Sequence, residues 1–326
     1  MPTFDSAFAI GSLQLDRRLM MAPMAGVTTT PFRQSVRRWG AGLVFTEMVS
    51  SHGIAYGNRR TLEYLACGAE EHPIGYQIFG ADAAIMARAA EACVAAGADL
   101  VDINMACPVR KVVKTGAGAA LLGAPDTAVA IARAVVAAVP VPVTVKLRAG
   151  LRQGDGLGRL LARRLVDAGI AAVCMHPRTA AQLYRGVADH SLTCALATSL
   201  PAPVIASGDI VGRDVGASLL DGGCAAVMVA RAALGRPWIF SEILLGAPLP
   251  EPAARLKELN LFVEETVKAM GPRAVGYLRQ FWSRFRSSGT IDRGTARELM
   301  HASDTTAVQA LLASAGPFCT ESALHL

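Results

Sequence analysis

The chain reads as an α/β protein, a (β/α)8 barrel over residues 1–245 followed by a small all-α C-terminal domain over 246–326. Three observations predict this. Short apolar runs alternate with amphipathic ones through the first 240 or so residues, the pattern of repeated βα units. Eight such runs occur, the number a closed parallel barrel needs; an open doubly wound sheet, the rival, does not require all eight. After Trp238-Ile-Phe the strand candidates stop and helical periodicity takes over.

The strand candidates, in order, are 19–22, 43–46, 74–78, 100–104, 143–146, 172–175, 204–206 and 225–229. Between them the spacing predicts helices at 31–38, 60–65, 83–96, 125–139, 157–168, 192–199, 213–220 and a short one at 237–244. Gly40, Gly97, Gly169 and Gly222 are placed to end helices in the left-handed conformation. Ala96-Gly-Ala-Asp99, Asp167-Ala-Gly-Ile170 and Asp221-Gly-Gly-Cys224 each return the chain from a helix to the next strand. Gly246-Ala-Pro-Leu-Pro-Glu-Pro252 reads as a linker, and 255–270, 272–287, 293–300 and 305–312 as tail helices. In the tail, Arg273, Arg279, Arg284, Arg286, Arg293 and Arg297 interleave with Tyr277, Phe281, Trp282 and Phe285.

With 52% hydrophobic and 18% charged residues, the 326-residue chain has ample material for a core, which excludes wholesale disorder. The longest apolar stretch, 127–145, is broken by Arg133, Pro140 and Pro142, so no membrane span is expected. Asp5 stands where a signal peptide would be basic, so none is expected. The seven cysteines, at 67, 93, 107, 174, 194, 224 and 319, fall singly, with no C-x-x-C and no Cys/His zinc spacing. That pattern predicts reduced thiols, a cytoplasmic setting and no metal. A net charge of +6 suits a polyanionic partner and equally a plain basic enzyme.

Asp102-Ile-Asn-Met-Ala-Cys107-Pro108 places a carboxylate, a carboxamide and a thiol where the fourth apolar run gives out. Pro108 donates to no ladder and resists helix, so the thiol is expected on a rigid turn. In parallel α/β folds that end of the strand is where chemistry happens. The other runs deliver polar groups to the same mouth: Gln77, Asn104, Lys146 with Arg148, His176 with Arg178, Ser207-Gly208-Asp209, and Ala230-Arg231. The last two follow strands seven and eight, where barrels commonly bind phosphate through backbone amides. Lys146 should point into the barrel, where an ammonium needs an anion. That anion is either the polar edge of a reduced flavin or a carboxylate such as Asp102.

These residues together resemble a known family. Ala22-Pro-Met-Ala-Gly-Val-Thr28, Gln77-Ile-Phe-Gly80, the Asp102–Pro108 stretch, Lys146-Leu-Arg148, His176-x-Arg178-Thr179, Ser207-Gly-Asp-Ile210 and Ala230-Arg-Ala-Ala-Leu-Gly-Arg-Pro-Trp238 closely resemble the tRNA-dihydrouridine synthases. The likeness is nearest to the bacterial B-type branch, in which Cys-Pro leads into stretches such as Arg110-Lys-Val-Val-Lys114 and Gly116-Ala-Gly-Ala-Ala-Leu-Leu122. It spans residues 10–245 and weakens over the tail. It implies a TIM-barrel oxidoreductase that uses FMN, recharged by NADPH or NADH, to reduce a uridine of tRNA to 5,6-dihydrouridine. No membrane, no metal and a monomer are expected.

Carried over residue by residue, the resemblance implies that Pro23, Met24 and Ala25 pack on the isoalloxazine, and that Gln77 and Lys146 bond its polar edge. His176 would lie over the ring toward the ribityl side. Ser207, Gly208, Asp209, Ala230 and Arg231 would hold ribityl and phosphate. Asn104 and Arg178 would address the flavin face and the uracil. Cys107 would give a proton to C5 as hydride reaches C6, a task for which a thiol with an ordinary pKa near 8.5 is mostly protonated at neutral pH. Arg110, Lys111 and Lys114 would grip neighbouring phosphates, and Arg279, Arg284 and Arg286 with the tail aromatics would hold the RNA by charge and stacking. For the tail, an ordinary amphipathic helix with an aromatic core stripe is an equally weighted reading. Family members usually carry Gly for Ala106, Asn for Ser207 and Gly for Ala230. Two other functions compete. A small-molecule FMN reductase of the dihydroorotate or dihydropyrimidine type explains the strand ends and leaves the basic stretches without a role. A non-catalytic nucleic-acid-binding barrel is disfavoured by the intact Cys107, Lys146 and His176.

Overall fold

Side chains alternate between the two faces of eight short strands, and that alternation sorts the molecule. The computed structural model describes residues 3–318, with β1 (Leu19–Met21), β2 (Val44–Phe45), β3 (Ile74–Phe79), β4 (Leu100–Met105), β5 (Val143–Arg148), β6 (Ala172–His176), β7 (Val204–Ser207) and β8 (Ala226–Val229). Neighbours pair in parallel from β2 to β8. β8 pairs with β1, and a bridge between Met20 and Leu43 carries the ring from β1 toward β2. The Met21 N–H donates to the Leu43 carbonyl at that seam, 2.9 Å away.

Val101, Ile103 and Met105 of β4, and Val143, Val145 and Leu147 of β5, belong to the core beneath the helices. Their alternates turn into the barrel. Low in the barrel the inward residues are apolar, among them Phe45, Leu100, Cys174, Ile205 and Met228. A Cβ on Gly75 would come within 2.4 Å of the Phe45 ring, so only glycine leaves room for that plug. A hairpin of Phe8–Ile10 with Leu13–Leu15, which the sequence reading did not anticipate, adds Ile10 and Leu15 to the same cluster. Higher up the inward residues are polar and in register: Asp102 beside Thr144, Asn104 beside Lys146, Arg148 beside His176.

The helices α1 (Thr30–Arg38), α2 (Ser51–Ala55), α3 (Ala83–Ala95), α4 (Pro125–Ala138), α5 (Leu157–Asp167), α6 (His190–Ser199), α7 (Arg213–Asp221) and α8 (Ile239–Leu245) surround the strands. Gly40, Gly97 and Gly169 take positive φ at helix ends as expected. Gly222 does not. α7 runs on to Asp221, Gly222 is its cap at φ −75, and Gly223 at φ +92 makes the left-handed turn.

Beyond Gly246 come α9 (Pro252–Met270), α10 (Arg273–Ser287), α11 (Arg293–His301) and α12 (Thr305–Ser314). Pro252 occupies the first turn of α9, where its missing N–H costs nothing. Asp292 and Asp304 cap α11 and α12 by accepting the N–H of Thr295 and Ala307, each at 2.9 Å. Tyr277, Phe281, Trp282 and Phe285 are buried, so the expectation that they stack on RNA is overturned. The interleaving reflects helical period: the aromatics form one face of α10 and the arginines another. Phe281 lies 5.1 Å from Phe262 of α9 and 5.8 Å from Phe32 of α1, so the tail shares its core with the barrel's outer layer. Arg38 of α1 adds ion pairs to Glu258 and Glu265 of α9, each at 2.8 Å.

No helix among the described residues is long and apolar enough to cross a membrane. Six cysteines are free thiols, and Cys319 lies outside the described residues.

Candidate active site

A cavity of about 630 Å³ opens at the C-terminal ends of the strands. It gathers Pro23, Met24 and Ala25 after β1, Gln77, Asn104, Cys107, Lys146, His176, Ser207, Gly208, Asp209, Ala230, Arg231, and Arg284 from the tail. Arg178, Arg110, Lys111, Lys114, Arg279 and Arg286 are absent from its walls. A larger cleft of about 790 Å³ lies between α1 and α9, but it receives no strand end and its Arg38 and Glu265 are already paired.

A chain of hydrogen bonds orients the thiol loop. Asp102 is fully buried and accepts from Thr144 Oγ1 at 2.6 Å and from Gln77 Nε2 at 2.7 Å. With its amide nitrogen committed to the carboxylate, Gln77 turns its oxygen to Asn104 Nδ2, 2.8 Å away. Asn104 Oδ1 must then face the loop, where it accepts the backbone N–H of Cys107 at 2.9 Å and of Ala106 at 3.2 Å. Burial pushes the Asp102 carboxyl up, against the hydrogen bonds from Gln77 and Thr144 and the charge of Lys146. Burial likewise pushes the Cys107 thiol up, against the Val109 backbone N–H and the Arg148 charge, so the sulfur keeps its proton.

Lys146 donates to Ser207 Oγ at 3.2 Å and has no ion pair among the described residues. Lys146 forms no ion pair with Asp102, whose oxygens bond Thr144 and Gln77, and acts on that carboxylate only through its charge at longer range. His176 is held neutral: burial first, then the charges of Lys146, Arg148, Arg178 and Arg231, lower its pKa to about 2. Gly208 sits at φ +106, and a Cβ there would lie 2.5 Å from His176 Cδ2, so this close approach requires glycine.

Arg178 does not reach the cavity, a correction to its expected contact with flavin and uracil. β6 ends at His176, and two residues later the chain has left the strand's alternation. The Arg178 guanidinium is buried instead, bonded to Asp209 Oδ1 and Oδ2 at 2.9 and 2.7 Å and to the carbonyls of Arg185 and Gly186 at 3.1 and 2.5 Å. Asp209 takes φ +50, a conformation Asp tolerates better than most residues. Burial works against its charge, but Arg178, the Ala188 N–H and Arg231 hold its carboxyl below the usual range. Its side chain therefore fastens the loop to Arg178 and Ala188. Ala230 takes φ −123 and ψ −106 and lines the cavity beside Arg231, in the place where family members usually carry glycine.

Of two further wall residues, the sequence places Arg148 at the mouth without a role and gives no sign of Tyr184. Arg148, visible at the end of β5 but given no role, donates to the carbonyls of Ala106 and Thr179 at 2.8 Å each and of Leu183 at 2.7 Å. Tyr184 lies in a loop without a motif, its ring 5.4 Å from both the Arg148 and the Arg231 guanidinium carbons. Outside the cavity, the exposed Arg110 and Lys111 ride a short helix (Arg110–Val113) that Lys114 caps, adjoining Val109 on the wall. Arg279 is turned to the Ala302 carbonyl at 3.3 Å, and Arg286 is exposed. Arg284 reaches the mouth because Gly235 lets α10 approach: a Cβ there would lie 2.5 Å from the Arg284 carbonyl carbon.

A buried ammonium with no ion pair among the described residues, a second cation at Arg231, a glycine turn after β7 and an apolar wall at Pro23 and Met24 fit a flat ligand with an anionic edge and a phosphate. Fold and site thus define a barrel enzyme of the oxidoreductase class, with a protonated thiol at the rim. The sequence matches the family described as dihydrouridine synthase over residues 20–281. The chain belongs to that family. It is 42% identical over 274 residues to tRNA-dihydrouridine synthase B of Pseudomonas aeruginosa, covering 80% of this chain and 82% of that protein. The protein of the same name from Xanthomonas campestris pv. campestris is 43% identical over 249 residues, 75% of each chain. Among solved structures, morphinone reductase superposes with a TM-score of 0.57 at 16% identity, covering 77% of this chain and 91% of its own, a likeness of fold.

Proposed function

We propose that this chain reduces a uridine of tRNA to 5,6-dihydrouridine, with FMN in the strand-end cavity, NADPH as reductant and Cys107 as proton donor. The reading is carried by one observation: the half-buried Cys107 thiol stands on the rim of a cavity whose buried Lys146 has no ion pair among the described residues. Lys146 suits the polar edge of the ring, Pro23, Met24 and Ala25 its face, and Ser207, Gly208, Ala230 and Arg231 the ribityl and phosphate. Bound there, reduced FMN supplies the hydride.

The chain's own residues do the rest. Cys107 holds a proton on sulfur and releases it to C5 of the uracil. Asn104 and Arg148 keep the thiol loop at a fixed height over the cavity. A uracil inside folded tRNA must leave its stack to arrive, and Tyr184 offers it an aromatic face. We assign the tRNA phosphates to Arg110, Lys111 and Lys114 beside the thiol loop and to Arg284 and Arg286 of α10, with the tail from residue 246 serving as the tRNA-holding domain.

The test is direct. The purified protein is expected to be yellow, and with NADPH and unmodified tRNA to form dihydrouridine detectable by mass spectrometry. Cys107→Ala is expected to keep the flavin and NADPH oxidation but lose dihydrouridine. A colourless protein unable to take up FMN removes the cavity assignment, and undiminished product from the variant removes Cys107.

A further inference from the structure

The loop that walls the cavity after β1 is fastened, at its backbone, by side chains from elsewhere. Gly26, at φ +74, donates its N–H to the buried carboxylate of Glu47. The Gly26 carbonyl accepts from Gln280 Nε2 at 2.8 Å, and the next carbonyl, Val27, accepts from the Tyr277 hydroxyl at 2.7 Å. That hydroxyl in turn accepts from Thr29 Oγ1 at 2.9 Å. Tyr277 and Gln280 both belong to α10 and are three residues apart, so they share a helix face with Arg284, four residues further on at the cavity mouth.

A loop has no ladder to fix its peptide groups, so its shape is set by whatever bonds them. Here the partners of two successive carbonyls come from the tail. We infer that Tyr277 and Gln280 are positioning residues for the cofactor: α10 holds the wall formed by Pro23, Met24 and Ala25 in its binding shape, and flavin affinity depends on the tail through these two contacts. The inference rests on the reading of the cavity as a flavin site. It gives the tail a second task beside holding RNA.

The experiment strips flavin from the full-length protein and titrates FMN back, following quenching of its fluorescence and the visible band of the bound form. Tyr277→Phe keeps the ring in its aromatic packing and removes only the hydroxyl, and Gln280→Glu replaces the donor on an exposed side chain. Each is expected to raise the FMN dissociation constant roughly three- to tenfold, the effect of one net hydrogen bond, and to shift the bound spectrum. Arg38→Gln breaks the ion pairs to Glu258 and Glu265 without touching the loop, and is expected to lower the melting temperature at unchanged FMN affinity. Wild-type affinity and spectrum in Gln280→Glu and Tyr277→Phe overturn the inference, as does an equal loss of affinity in Arg38→Gln. If the wild-type protein takes up no FMN, the functional reading itself fails.

Discussion

Arg148 Nε donates to the carbonyl of Ala106, 2.8 Å away, on the residue that precedes the thiol. The same guanidinium holds Thr179 and Leu183, so one buried side chain ties the Cys107 loop to the Tyr184 loop. Arg148→Lys keeps a charge but loses the planar fork that meets three carbonyls. We expect uridine reduction to fall about 10²-fold, since misplacing a reacting group by about 1 Å costs that much. NADPH oxidation by the bound flavin should stay near wild type. Single-turnover measurements of both half-reactions check this, and equal slowing of the two would show the fork to serve the whole cavity.

The thiol itself carries a pH signature. Its folded pKa lies above the ordinary thiol value because burial dominates, so the donor form persists through neutral pH. Uridine reduction is expected to be flat there and to decline only as pH rises past that raised value. Iodoacetamide alkylation of Cys107, which needs the thiolate, should rise over the same range. A reduction rate that falls between pH 7 and pH 8 while alkylation climbs would contradict a buried, protonated thiol.

How much of this was legible follows from which physical rule governs each residue. The eight strands stood out because parallel strands are buried on both faces and read as continuous apolar runs. The strand-end groups followed from chain position alone, and Gln77, Asn104, Lys146, His176 and Ser207 do share one cavity. The hairpin at Phe8–Ile10 and Leu13–Leu15 was missed because three-residue strands are too short to display alternation. Arg178 was misread because a residue beyond the strand end is aimed by its partners, here Asp209, which sequence does not pair with it. Tyr184 gave no signal, since its place depends on two arginines from other strands.

His176 yields a prediction about stability. An ordinary histidine titrates near 6.5, and burial beside four cations depresses His176 to about 2. A depressed folded value means the unfolded chain binds the proton first, so the contribution is present above pH 6.5 and lost as pH falls below it. Between pH 7 and pH 4.5 the flavin-free protein should lose about 2 to 3 kcal/mol from this group. His176→Asn, which cannot titrate, is expected to lose correspondingly less. Urea unfolding at both pH values measures the difference, and identical losses would mean that His176 is already protonated in the fold.

The tail arginines divide by their surroundings. Arg284 lines the cavity mouth and Arg286 is exposed on the same helix, whereas Arg279 is turned to the Ala302 carbonyl at 3.3 Å. Phosphate contacts release counterions, so each one lost flattens the dependence of log binding constant on log salt by roughly 0.7 to 0.9. Arg284→Glu combined with Arg286→Glu is therefore expected to weaken tRNA binding and reduce that slope by more than one, while Arg279→Glu changes it little. Filter binding from 50 to 200 mM salt reads both quantities. The aromatic residues of α10 are buried, so on the proposed reading charge carries the grip of this helix. A slope left intact by the double variant would assign the RNA to another face, with the short helix at Arg110 and Lys111 the next to reverse.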